Sequence, residues 1–123
     1  GLAEFRDGLV ETGLKRMRDA IDTQPKTSEN HDRLILALVW LNRIADATLA
    51  AEAKLDAFAT PPAADFLRAA SLANRLGQWI RAAATLERGL RLYPADTGLA
   101  EGLLEVTSAV SANMAITDVI SGL

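Results

Sequence analysis

The stretch Phe66-Leu-Arg-Ala-Ala-Ser-Leu-Ala-Asn-Arg-Leu-Gly-Gln-Trp-Ile-Arg-Ala-Ala-Ala-Thr-Leu-Glu-Arg-Gly-Leu-Arg-Leu-Tyr-Pro94 decides the fold. Phe66, Ala69, Ala70 and Ala73 recur at helical spacing, and so do Trp79, Ala82, Leu86 and Leu90. Gly77 stands between the two sets. It has no Cβ and suits the left-handed backbone that closes a helix. Pro94 cannot continue the second helix. The stretch predicts two short amphipathic helices folded back around a glycine turn.

On the N-terminal side, Leu34, Ile35, Leu38 and Leu41 form an apolar stripe, which Leu36, Val39 and Trp40 broaden. Asn42 follows, the residue type that most often replaces glycine in a left-handed position. Ile44, Ala47, Ala51, Leu55 and Phe58 then make a return helix, ended by Thr60-Pro61-Pro62. Further back, Val10, Leu14, Met17, Ala20 and Ile21 fall at helical spacing before Pro25. Leu2 and Phe5 read as the last turns of a preceding helix, stopped by Gly8. Thr27-Ser28-Glu29-Asn30 is a polar hinge with N-cap candidates.

Beyond Pro94, Asp96 or Thr97 caps a helix carrying Leu99, Leu103, Val106 and Val110. Ser111-Ala112-Asn113 is read as a turn before a short apolar helix through Ile116, Val119, Ile120 and Leu123. Nothing in the residues forbids one continuous helix there.

The breaks are periodic. Gly8, Asn42 and Gly77 stand 34 and 35 residues apart, and Pro25, Pro61 and Pro94 stand 36 and 33 apart. Two residues after each turn comes Val10, Ile44 or Trp79; three further on, Gly13, Ala47 or Ala82; four beyond that, Met17, Ala51 or Leu86. A period near 34 built from helix–turn–helix units is diagnostic of one repeat class. On these residues the chain resembles the tetratricopeptide repeat (TPR) family. Phe66, Ala69-Ala70, Ala73, Gly77, Trp79, Ala82, Leu86, Gly89 and Pro94 stand at that family's steps. Ala69-Ala70 replaces the usual Leu-Gly pair, and Ala73 and Gly89 depart from the usual occupants. In the repeat before it, Lys54 takes the place of a small buried residue.

The resemblance implies an all-α, TPR-like α-solenoid of antiparallel helix pairs, with about three repeats plus a C-terminal helix or helix pair. It implies one TPR-like domain over 1–123: a half-repeat at 1–25, repeats at 28–60 and 62–94, and a terminal partial repeat at 97–123. Lacking an initial Met and starting in helical pattern, the chain reads as a piece of a longer protein. In the family the first helix of each pair lines a concave face. That places Leu36, Val39 and Trp40 on it from one repeat, Leu67, Ser71, Asn74 and Arg75 from the next, and Glu101, Glu105 and Ser108 from the last. The expected ligand is a protein or peptide partner, held as a helix or an extended segment. The Lys/Asn clamp with which some members grip a terminal carboxylate is not reproduced, since Val39 and Trp40 occupy the positions matching Asn74 and Arg75. The order of the repeats is also similar to TPR lipoproteins of bacterial exopolysaccharide-export and PEP-CTERM sorting loci, which would imply a periplasmic, envelope-associated scaffold; otherwise a cytoplasmic one.

Composition narrows the functions. Net charge is -3 with both signs scattered, so no basic stripe tracks a nucleic acid. Cysteine is absent, which excludes disulfides and thiolate metal sites. No apolar run approaches the roughly 18 residues of a membrane span. His31 is the only histidine and has no acidic partner in a motif, so a structural or solvent-exposed role outweighs catalysis. Gly98 and Gly102 lack the lysine of a phosphate loop. Asp65, Glu101 and Glu105 are scattered carboxylates of a solvated surface. No enzyme, cofactor or metal is expected. Trp79 is read as a plug between helices, and Trp40 as either an inter-repeat packing residue or a partner anchor. The alternative to a scaffold is a homodimer formed through terminal helix faces at Leu2, Phe5, Ile116 and Ile120.

Overall fold

Six helices follow one another, and among the described residues there is no strand. They are α1 (Leu2–Thr23), α2 (Ser28–Trp40), α3 (Ile44–Ala57), α4 (Ala63–Arg75), α5 (Trp79–Leu92) and α6 (Thr97–Ser121). The structure is a computed structural model that describes residues 2–121, with side chains through residue 112. It divides into two compact units, 1–59 and 60–123.

In unit 1, α2 packs on α3 and on α1. The α2–α3 turn is made by three residues. The Asn42 N–H donates to the Val39 carbonyl (2.9 Å) and the Arg43 N–H to the Leu38 carbonyl (2.8 Å), with Asn42 at φ 59°. This paired 5→2 and 6→1 pattern is a Schellman motif, and it satisfies carbonyls that a helix end would otherwise leave orphaned. Arg43 is also the N-cap residue of α3, so one residue closes one helix and opens the next.

Buried apolar side chains of this unit are Leu14, Leu34, Ile35, Leu38, Ala47, Ala51 and Leu55. Leu36 and Trp40 do not broaden that stripe: they are 62% and 89% exposed. At 3.6 residues per turn each lies about 200° round the helix from Leu34 and Leu38 respectively, on the opposite face.

His31 is buried, and its Nε2 lies 2.7 Å from the Pro25 carbonyl. A carbonyl can only accept, so Nε2 carries the proton. The same ring meets Phe58 edge-on, with centroids 5.7 Å apart, and the Lys26 ammonium hydrogen-bonds the Ala57 carbonyl. These contacts tie the α1–α2 loop to the end of α3. Lys54, also buried, pairs with Asp32 of α2 at 2.8 Å. Arg43 joins Glu11 of α1 (2.6 Å) and Asp46 (2.9 Å). Those hydrogen bonds, Glu11 first, raise the guanidinium pKa above its ordinary value.

Gly8 is not a turn. It lies inside α1, which runs unbroken for 22 residues, and only Asn42 and Gly77 have positive φ among the described residues. Glycine permits a left-handed turn but does not compel one. Within a helix it costs only about 1 kcal/mol against alanine, a penalty that the matching pattern from Val10 to Ile21 on its C-terminal side outweighs.

In unit 2, α4, α5 and α6 pack on one another. The α4–α5 turn repeats the first one: the Gly77 N–H donates to Asn74 (2.9 Å) and the Gln78 N–H to Ala73 (3.0 Å), with Gly77 at φ 73°. Phe66, Ala69, Ala70, Leu72, Ala73, Ala82, Leu86, Leu99 and Val106 are buried. Burying one Phe or Leu contributes about 1.5–3 kcal/mol.

Gly89, unusual for the repeat, has a packing reason. A Cβ there would lie 2.9 Å from Phe66 Cγ and 3.1 Å from Leu99 Cδ1. The missing methyl lets α5 sit directly against Phe66 of α4 and Leu99 of α6.

Tyr93 donates its hydroxyl to the Pro61 carbonyl (2.7 Å), fastening the α5–α6 loop to the chain just before α4. Of the two cap candidates, Asp96 serves: its Oδ1 accepts from the Leu99 N–H (2.9 Å), the third residue of α6. The turn expected at Ser111-Ala112-Asn113 does not form, and α6 is one helix to Ser121. That segment has no proline and no residue of positive φ. Trp79 is half-buried at the first position of α5. Ile116 and Ile120 lie outside the residues whose side chains are described.

Candidate functional site

An open cleft of about 360 Å³ lies between α4 and α6, with Leu86 of α5 beneath it. Leu67, Ala70, Ser71 and Asn74 come from α4, and Gly98, Glu101, Gly102, Glu105 and Val106 from α6. The α4 residues fall at positions i, i+3, i+4 and i+7, one face of one helix. The α6 residues do the same from Gly98 through Glu105.

Local sequence explains the hollow. Ala70, Ser71, Gly98 and Gly102 are small where two helices approach. A Cβ on Gly102 would meet Leu86 at 3.4 Å and one on Gly98 would meet Leu67 at 3.4 Å, so both glycines let leucine side chains lie against α6. The floor is therefore apolar. Ser71, Asn74, Glu101 and Glu105 are exposed along the rim.

The cleft gathers Leu67, Ser71, Asn74, Glu101 and Glu105. Arg75 is exposed at the end of α4, outside the lining, and Ser108 is exposed one turn beyond it. Leu36, Val39 and Trp40 belong to unit 1. Val39 is half-buried, while Leu36 and Trp40 share an exposed face of α2, four residues apart. Sequence reasoning missed Ala70, Leu86 and Val106 as floor residues. It treated Gly98 and Gly102 only as a failed phosphate loop; their i, i+4 spacing on a helix was the available signal of close packing.

Unit 2 has a second depression, of about 600 Å³, lined by Gly77, Gln78, Trp79, Ile80, Arg81, Ala84 and Val110. Trp79 forms part of its wall, and Ile80 is 80% exposed.

Among the described residues no cluster of His, Cys, Asp or Glu could hold a metal ion, and no helix is long and apolar enough to cross a membrane.

No family model matches the chain, and no curated protein matches it in sequence. Solved structures do match in fold. The first TPR domain of Spaghetti (RPAP3), bound to the HSP90 peptide SRMEEVD, superposes with a TM-score of 0.64 at 17% identity, covering 90% of this chain and 87% of that one. A chain of the Sec complex from S. cerevisiae superposes with a TM-score of 0.65 at 23% identity, over 92% of this chain and 66% of that one. The fold is all-α and TPR-like, a helical-repeat architecture of paired helices.

Proposed function

We propose that the chain is a protein-interaction scaffold that holds a segment of a partner protein in the α4–α6 cleft. One observation carries this reading. The first helix of one pair and the helix that follows the pair enclose an open, apolar-floored cleft with uncharged hydrogen-bonding groups on one rim and carboxylates on the other. Its volume is at the lower end of the roughly 300–1,000 Å³ of ligand sites. The peptide bound to the RPAP3 domain supports the same class of role. The site residues proposed are Leu67, Ser71, Asn74, Glu101 and Glu105, all of them expected on the concave face from the repeat pattern. Leu36, Val39 and Trp40 are proposed as a separate contact surface on α2.

Photo-crosslinking tests the reading. A benzophenone amino acid at Ser71 should capture a partner segment in cells, and Leu67→Glu should remove that adduct while leaving helical content by circular dichroism unchanged. Capture that persists in Leu67→Glu would move the site off the cleft.

A second reading, self-assembly, is favoured by one observation: Leu2, Phe5 and Leu9 at the start of α1 are 85%, 67% and 58% exposed. Apolar side chains on one helical end can pair between copies. Light scattering on the chain and on a Leu2→Ser/Phe5→Ser/Leu9→Ser variant separates the two readings, since only self-assembly predicts a loss of mass. The export-locus reading rests on repeat order alone, and nothing in the fold or its neighbours adds to it.

A further inference from the structure

We propose that the α4–α6 cleft takes a basic, extended segment of its partner, in which two Lys or Arg side chains separated by one residue pair with Glu101 and Glu105. This rests on the cleft being the partner site.

Charge is the first ground. Glu101 and Glu105 are exposed on the cleft rim, and no Lys, Arg or His lines it. Neither carboxylate meets a cation among the described residues. The opposite rim, Ser71 and Asn74, is uncharged. An acidic segment such as the SRMEEVD peptide of the RPAP3 structure would meet charges of its own sign here.

Shape is the second. The cleft is open and lies along two helix faces, Leu67 to Asn74 and Gly98 to Glu105, so a segment of chain can lie lengthwise in it.

Spacing is the third. Residues four apart on a helix are separated by about 6 Å along its axis. Alternate residues of an extended chain, which point to the same side, are separated by about 6.6 Å. Two basic side chains in an x-Lys-x-Lys-x pattern therefore come into register with the two glutamates, while the intervening residues face Ser71 and Asn74. Gly98 and Gly102 alternate with the glutamates along the same face and add no side chain of their own between the two carboxylates.

The test is an amide-resolved NMR titration of the chain with acetyl-Ala-Ala-Lys-Ala-Lys-Ala-Ala-amide and with its Gln-for-Lys and Glu-for-Lys counterparts. The lysine peptide should shift the amides of Ser71, Asn74, Gly98 and Gly102. It should bind about tenfold more tightly than the glutamine peptide, two exposed pairs at roughly two- to fivefold each. Raised salt and the Glu101→Gln/Glu105→Gln variant should each remove that difference. If the glutamine or glutamate peptide shifts the same amides equally well, the basic-partner proposal is wrong while the cleft survives as a peptide site. If the lysine peptide shifts only amides elsewhere, or none, the proposal is overturned; shifts confined elsewhere also remove the support for the cleft.

Discussion

At Asn42 and at Gly77 the backbone does the same thing. Both residues are left-handed, at φ 59° and 73°, and both turns close with the same two hydrogen bonds, displaced by 35 residues. Inside the hairpins the chemistry diverges. The α2–α3 hairpin encloses a buried lysine paired with Asp32. The α4–α5 hairpin encloses Phe66 against a glycine too crowded for a methyl group. The turn is a local solution to unsatisfied helix ends, and any interior that fits its geometry can be attached to it. Only the second hairpin contributes to the α4–α6 cleft.

The largest expected effect breaks the first interior. Asp32→Ala removes one carboxylate from the buried Lys54 ammonium and should cost about 2 kcal/mol, less than for a fully buried pair because the Asp32 side chain is 36% exposed. Lys54→Met removes the charge with its desolvation penalty and should be close to neutral. Urea unfolding followed by circular dichroism, with amide hydrogen exchange of α2 and α3, reports this unit. Equal losses for both variants would show that the pair matters through packing instead of charge.

Next comes the second interior. Gly89→Ala gains up to about 1 kcal/mol of helix propensity but forces Phe66 and Leu99 apart, an overpacking cost of about 1–3 kcal/mol. A net loss near 1 kcal/mol is expected, read by Trp79 fluorescence in a Trp40→Phe background. Phe66→Leu should make the alanine tolerable, and a double-mutant cycle measures that coupling.

The smallest effects sharpen the comparison of turns. Gly77→Ala must hold a Cβ in a left-handed backbone and should cost about 1 kcal/mol, with no clash to add because no atom lies within 4 Å. Gly8→Ala should instead stabilise by about 0.5–1 kcal/mol, since Gly8 is helical with open space around it. Thermal unfolding of the two variants tests whether equal spacing in sequence concealed opposite conformations.

That pair also marks where the sequence was legible. The helix spans around Asn42 and Gly77 followed from apolar spacing and turn chemistry, and the departures at Lys54 and Gly89 stood out by position. Gly8 sat in the same register and misled, because spacing cannot tell a glycine that is free to turn from one that does. At Ser111-Ala112-Asn113 a break and one continuous helix were both open, since serine and asparagine permit a break that continuous helical hydrogen bonding does not require. Of the cleft, Leu67, Ser71, Asn74, Glu101 and Glu105 could be placed on helix faces from the repeat pattern. Its floor could not, because nothing in the pattern of one helix tells that Leu86 of α5 and Val106 of α6 meet beneath α4.

The amino-acid sequence by itself determined the all-α class, the period near 34, the left-handed residues at 42 and 77, and the lack of cysteine thiolates. These are local properties, set by side-chain periodicity, by Cβ sterics and by which residue types are present. Tertiary structure alone decided that Lys54 is buried against Asp32, that His31 clasps Pro25, that Gly89 is the close-contact point of three helices, and that two glutamates face a cleft with no cation in it. Each of these depends on which faces meet across helices far apart in the chain, and periodicity within one helix does not contain that information.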